Sequence, residues 1–182
     1  MLRWESYRAV YGAELRAAAR EYSDHGWPVV GASSAGLLLA TGGVLDVVEV
    51  HAAVGRRVCE QLRAAGLVVP VAATPTGSWW FPVTPGAALP TSVRDHAVLH
   101  TGGAAVLAPP SETPDGWVHW RVAPALSGYR PSPADLILAA VAATVELSDS
   151  AGRARLTAGA SPDGRVPAAV RGDRLPAVAG RY

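Results

Sequence analysis

Apolar residues recur at a helical spacing near the start of the chain. Tyr11, Leu15, Ala18 and Tyr22 lie four, three and four residues apart, with Arg and Glu between them. This spacing places their side chains on one face of an α-helix. We expect this amphipathic helix to end at His25-Gly26, because glycine favours a helix stop.

Short apolar runs bounded by Gly, Ser and Pro follow the first helix and predict strands. The expected strands are Trp27–Val30, Gly36–Ala40, Val44–Val50, Leu67–Ala73, Ser78–Val83, Ala97–His100, Ala104–Ala108 and Trp117–Val122. The segment Thr74-Pro75-Thr76-Gly77 separates two of them and has the proline and glycine of a β-turn. It therefore predicts a hairpin.

Two more segments carry helix signals. His51–Ala65 repeats apolar residues every four positions and is followed by Gly66, which predicts a second helix. Ser132-Pro133-Ala134-Asp135 offers a capping hydroxyl, a first-position proline and an early acid, so a buried third helix should run from there to about Leu147. The order α-β-β-β-α-β-β-β-β-β-α predicts a single α+β (mixed α/β) domain.

The last part of the chain differs in composition and charge. From Ser148 onward Gly, Pro, Ala and Arg dominate without a helical or strand period, so we predict a folded domain over residues 1–147 and a disordered tail over residues 148–182. Residues 1–146 hold ten arginines against twelve acids, and residues 147–182 hold six against three. A slightly acidic folded part argues against a broad surface for duplex DNA.

Composition also bears on the type of genome, the role of the single cysteine and the cellular location. All sixteen basic residues are arginine, which indicates a high-GC coding sequence of actinobacterial type. Cys59 cannot form an internal disulfide and is expected to fill space in the second helix. Trp4 and Glu5 interrupt the N-terminus, and five prolines break the long uncharged run over residues 64–93. We therefore expect a cytoplasmic protein with no signal peptide and no membrane contact.

Four segments, in order along the chain, are similar to motifs of one known family. Ala17–Val30 ends in GWPVV, and Thr41–Val50 reads TGGVLDVVEV. Ala73–Phe81 reads ATPTGSWWF, and Gly102–Ser111 reads GGAAVLAPPS, with a further Pro-Asp-Gly and a tryptophan after it. The chain thereby resembles the bifunctional DNA primase/polymerase N-terminal (Prim-Pol) family of the archaeo-eukaryotic primases. The resemblance is most specific in the last segment.

The resemblance implies a primase/polymerase-like central sheet flanked by helices and a site for nucleotidyl transfer, with Mg²⁺ or Mn²⁺ held by carboxylates. Asp46 and Glu49 occupy its catalytic and metal-binding strand, and Asp95 lies near its third acidic position. Residues two apart share a strand face, so Asp46 and Glu49 point to opposite faces unless a bulge realigns them. The family's histidine, which contacts the nucleotide phosphate, falls at Trp79 or Trp80. The site is therefore expected to be degenerate, and enzymatic activity stays an open question.

Several of these residues also have structural interpretations. Asp46 can be a strand-end residue that bonds nearby backbone amides. Gly42-Gly43 fits a tight turn better than a phosphate cradle, since no helix begins directly after it. The histidine spacings match no zinc pattern. These interpretations stand beside the family-based ones.

One predicted strand carries an aromatic and basic face. Trp117, His119 and Arg121 share that face, which can stack unpaired bases and pair with their phosphates. A neighbouring loop that shields it is the alternative. The other face carries Val118, Trp120 and Val122 and is expected to meet the core. Trp79 and Trp80 alternate, so at least one of them should be buried.

Three functions are consistent with these features. The first is an accessory protein of replication or of a mobile element that binds nucleotide or single-stranded DNA without catalysis. The second is a weakly active polymerase or primase in which Asp46, Glu49 and Asp95 converge on Mg²⁺ or Mn²⁺. The third is an interaction module whose arginine-rich tail docks on a partner such as a replication protein.

Overall fold

Three helices and nine strands form the part of the chain that the computed structural model describes, residues 2–32 and 36–159. The helices are α1 (Leu2–Asp24), α2 (Ala52–Ala64) and α3 (Ala134–Gly159). The strands are β1 (Val29–Ala32), β2 (Leu37–Ala40), β3 (Asp46–His51), β4 (Val71–Ala73), β5 (Ser78–Val83), β6 (Ala97–His100), β7 (Ala105–Ala108), β8 (Ser111–Thr113) and β9 (Gly116–Val122). The predicted α+β class and element order are confirmed, with β8 as an added strand.

The strands form two antiparallel sheets. The larger has six strands in the order β6-β3-β5-β4-β9-β8, and the smaller has three in the order β1-β2-β7. The predicted hairpin joins β4 to β5, where the Thr74 amide donates to the Ser78 carbonyl at 2.8 Å. The chain passes between the sheets three times, from β2 into β3, from β6 into β7 and from β7 into β8.

The six-stranded sheet is buried on both faces over most of its width. On one side Val48 and Phe81 pack with α2 and α3. On the other side Val47 and Trp80 pack with α1 and the three-stranded sheet. Neighbouring residues of a strand point to opposite faces, so the apolar residues of β3 contribute side chains to both hydrophobic cores.

Tyr22 ties α1 to both sheets. Its hydroxyl donates to the Pro109 carbonyl at 2.6 Å and accepts from Trp120 Nε1 at 2.7 Å. Trp27 lies beside it, stacked at 5.5 Å between ring centroids, and donates from Nε1 to the Tyr129 carbonyl. The polar atoms of this aromatic cluster are therefore satisfied within the protein.

We expect the protein to lose stability at alkaline pH through Tyr22. Burial raises the pKa of its phenol, more than the Trp120 hydrogen bond lowers it. An unfolded tyrosine ionises near pH ~10, so the contribution is present below that pH and is lost as the pH rises above it. Urea denaturation at several pH values should show this slope. In Tyr22→Phe the slope should be smaller, and an equal slope would assign the effect to other groups.

The predicted end of one helix needs correction, and one strand was missed. The third helix does not end near Leu147 but continues for twelve residues to Gly159. The segment contains alanine, arginine and leucine, which are strong helix formers, and an existing helix needs no new nucleus to extend. Residues 160–182 of the predicted tail lie outside the described residues. The strand β8 was missed because three residues between prolines give no readable period.

None of the helices in the described ranges is long and apolar enough to cross a bilayer.

Candidate functional site

Asp46 begins β3 and is completely buried. Its Oδ1 accepts a hydrogen bond from the Gly42 amide at 2.8 Å, and its Oδ2 accepts one from the Gly86 amide at 3.2 Å. Both carboxylate oxygens are thus bonded to the backbone of two different loops. The interpretation of Asp46 as a strand-end residue that bonds nearby amides is confirmed.

The loop at Gly42 is pressed against a second glycine turn. A Cβ at residue 42 would lie 2.8 Å from the Gly102 nitrogen and 2.9 Å from the Gly103 nitrogen, and the φ of Gly42 is +94°. Only glycine fits this position without moving the backbone. Gly42-Gly43 is therefore a tight turn, as predicted. The hydrogen bond from the Gly42 amide to Asp46 holds this turn between β2 and β3, where the chain passes from one sheet to the other.

Glu49 lies on the opposite face of β3 from Asp46. His100 Nε2 and Glu49 Oε2 are hydrogen bonded at 2.7 Å, and the two side chains are 27% and 30% exposed. Glu49 is also directly opposite Trp80 on β5 and Val98 on β6. Sequence reasoning missed His100 as a partner, because the pairing of β3 with β6 leaves no local signal.

The three carboxylates predicted to bind metal are not brought together. Asp95 is exposed in the turn before β6, Asp46 is bonded to two amides, and Glu49 is bonded to His100. Within the described ranges, no group of three His, Cys, Asp or Glu side chains could hold a metal ion. An acid pair on the face of Glu49 would need an acid at the position of Val47. The residues present do not fit a two-ion site, and the metal role stays a prediction.

Trp79 and Trp80 are both core residues. Trp79 is 8% exposed and packs on α2, where a Cβ at Gly55 would lie 2.8 Å from Trp79 Cε3. Trp80 is 3% exposed on the other face, and its ring centroid is 5.3 Å from that of Trp120. The expectation that at least one is buried is confirmed. Their predicted contact with nucleotide stays a prediction.

Trp117, His119 and Arg121 form an exposed surface, called here the β9 face. Trp117 is 37% exposed, and the other two side chains are exposed as well. The Arg121 guanidinium carbon lies 4.6 Å from the ring centroid of Trp79, a cation–π contact. The cation is thereby held over the buried indole of Trp79, four residues along β9 from the exposed indole of Trp117.

A β-bulge changes the predicted inner face of β9. Val71 pairs with Val122, but Ala72 pairs with Trp120, so Arg121 is an extra residue in the strand. Trp120 consequently packs with the α1 side of the sheet, and Val122 packs with the α2 and α3 side. The expectation that Val118, Trp120 and Val122 share one face is wrong at Val122.

A second arginine lies near the β9 face. Burial raises the pKa of the Cys59 thiol, and the positive charges of Arg63 and Arg121 partly oppose that rise. Both guanidinium groups are therefore close enough to Cys59 to act on it. Glu112 lies directly opposite Trp117 on β8 and places a negative charge at the edge of the β9 face. Glu60 acts on the same thiol in the opposite direction, so the aromatic surface has two cations and two acids around it.

Comparison with known protein families supports the resemblance seen in the motifs. The family described as Prim-Pol, bifunctional DNA primase/polymerase, N-terminal, matches residues 4–136. The matched range is more than half of the chain, includes all nine described strands and ends in the first turn of α3. Comparison with curated proteins gave no match, and comparison with solved structures gave none either.

Proposed function

This chain belongs to the bifunctional DNA primase/polymerase N-terminal family, and we propose that it is a non-catalytic member that binds nucleotide or single-stranded DNA. The supporting observation is the state of the two β3 carboxylates. Asp46 accepts from two backbone amides, and Glu49 is bonded to His100. Nucleotidyl transfer uses carboxylates that converge on two divalent ions, and neither side chain is free for that task.

The β9 face is the surface that we assign to binding. The indole of Trp117 can stack on an unpaired base, while Arg121 and Arg63 attract the phosphates. Such stacking tolerates any base, because every base has a π-face. With few cations, binding should be weak, and its dependence on salt should be shallow. This chemistry suits an accessory role in replication or in a mobile element, beside a catalytic partner.

The test is a titration of the purified full chain with labelled dNTP, with and without a primed single-stranded template, in Mn²⁺ and in Mg²⁺. Binding and extension are monitored in the same samples. We expect binding without extension. Extension that disappears in Glu49→Gln would overturn the proposal in favour of a metal-dependent polymerase. Neither binding nor extension would overturn it in favour of a protein-interaction module.

A matched pair of arginine variants locates the binding surface. Arg121→Gln should weaken single-strand binding and lower the slope of log affinity against log salt by about one unit. Arg94→Gln removes the same charge from an exposed turn before β6 and should leave binding unchanged. Equal effects of both variants would mean that binding depends on overall charge and not on the β9 face.

A further inference from the structure

A pocket of about 380 Å³ lies between α1 and the segment that leads from β9 towards α3. One wall is α1, with Glu14 and Glu21, and the other includes Trp120, Pro124 and Tyr129. Trp120 packs on the α1 side of the six-stranded sheet, whereas Arg121 and Trp79 meet on the α2 side. The pocket is thus separate from the β9 face. Its volume is in the range of small-ligand sites.

The helix geometry sets the two carboxylates along the pocket. Glu14 and Glu21 are seven residues apart, which places them on one face of α1, two turns or about 10 Å from each other. Ala17 and Ala18 lie between them on the same wall. Their small side chains leave the space between the carboxylates open.

The aromatic walls have no free polar atoms to offer a ligand. Tyr22 uses its hydroxyl on Pro109 and Trp120, and the Tyr129 hydroxyl donates to Glu21. Among the described residues of the lining, the charged groups are the two carboxylates, with no arginine or histidine. A carboxylate offers about four acceptor sites, so Glu21 keeps acceptors after its bond to Tyr129. The pocket therefore combines apolar ring surface with two carboxylates that have no ion pair among the described residues.

We propose that this pocket binds the guanidinium group of arginine, either as a free small molecule or within a peptide. A guanidinium group is planar, stacks on aromatic side chains and donates two parallel hydrogen bonds to a carboxylate. The partly exposed indole of Trp120 supplies the ring, and Glu14 and Glu21 supply the carboxylates. A compact ammonium group would use the charge but not the flat walls.

Isothermal titration calorimetry on the full chain tests this site with three probes. Arginine amide should bind, and citrulline amide, which has the same shape without the charge, should bind at least about tenfold more weakly. A short peptide with one arginine between prolines distinguishes the source. Tighter binding of the peptide assigns the pocket to a peptide, and equal binding assigns it to the free compound. No heat with either arginine probe, or equal affinity for citrulline amide, would overturn the proposal.

Variants separate this pocket from the rest of the surface. Glu21→Gln keeps an acceptor for the Tyr129 hydroxyl but removes the charge, and should weaken arginine amide binding about tenfold. Glu146→Gln removes the same charge from an exposed position on α3 and should have no effect. Single-strand binding should be equal in both variants, so failure of one proposal is distinguishable from failure of the other. Unchanged arginine affinity in Glu14→Gln/Glu21→Gln would contradict the site.

Discussion

Replacing Asp46 with alanine is expected to lower the free energy of unfolding by about 3 kcal/mol or more. The side chain is completely buried and accepts from the amides of Gly42 and Gly86. In the variant both amides lose a carboxylate acceptor, and a hydrogen bond to a charged group contributes about 1.5–3 kcal/mol. Urea denaturation followed by tryptophan fluorescence measures the change. A loss of this size is a large part of the stability of an ordinary domain.

Asp95→Ala is the matched control, because sequence analysis assigns both acids to the same metal site. Asp95 is exposed, and its removal should change stability by less than about 0.5 kcal/mol. Asp46→Asn keeps the Oδ1 acceptor and should fall between the two. The interpretation would be reversed if Asp46→Ala were as stable as the wild type and Mn²⁺ stabilised the wild type but not the variant. Asp46 would then be a metal ligand.

The period of β3 was readable from the sequence, but its partners were not. Alternation placed Asp46 and Glu49 on opposite faces, and the structure has them there. The bond from Glu49 to His100 depends on the pairing of β3 with β6, and the two residues are 51 positions apart. The bond from Asp46 to Gly86 likewise joins distant loops. Local spacing predicts on which face of the strand a side chain lies, whereas the pairing of distant strands and loops determines which groups it contacts.

The family motif points to Trp79 and Trp80 as nucleotide contacts, and strand order explains why both are buried. Their strand β5 lies between β3 and β4 inside the six-stranded sheet. A central strand covered on both faces buries every side chain along it. The β9 face is exposed because it lies one strand from the edge, beside β8. Composition and spacing do not reveal strand order, so the sequence could not separate the two kinds of tryptophan.

Trp80→Ala should therefore destabilise the fold by about 3–5 kcal/mol, the usual cost of removing a buried aromatic side chain. Trp80 is 3% exposed and packs edge-on against Trp120 at 5.3 Å between centroids. Trp117→Ala, on the exposed β9 face, should change stability by less than about 1 kcal/mol. It should instead weaken single-strand binding by about 1–3 kcal/mol, the contribution of one stacked base.

Denaturation and single-strand titration of both variants distinguish a core tryptophan from a binding one. We expect Trp80→Ala to lower stability and Trp117→Ala to weaken binding, because each side chain acts in only one of the two measurements. If Trp117→Ala retained full binding, stacking on β9 would be excluded and the arginines alone would carry the affinity. If Trp80→Ala remained stable but lost binding, its ring would have to become accessible in the bound state. The two sheets would then separate when the ligand binds, since Trp80 lies in the core between them.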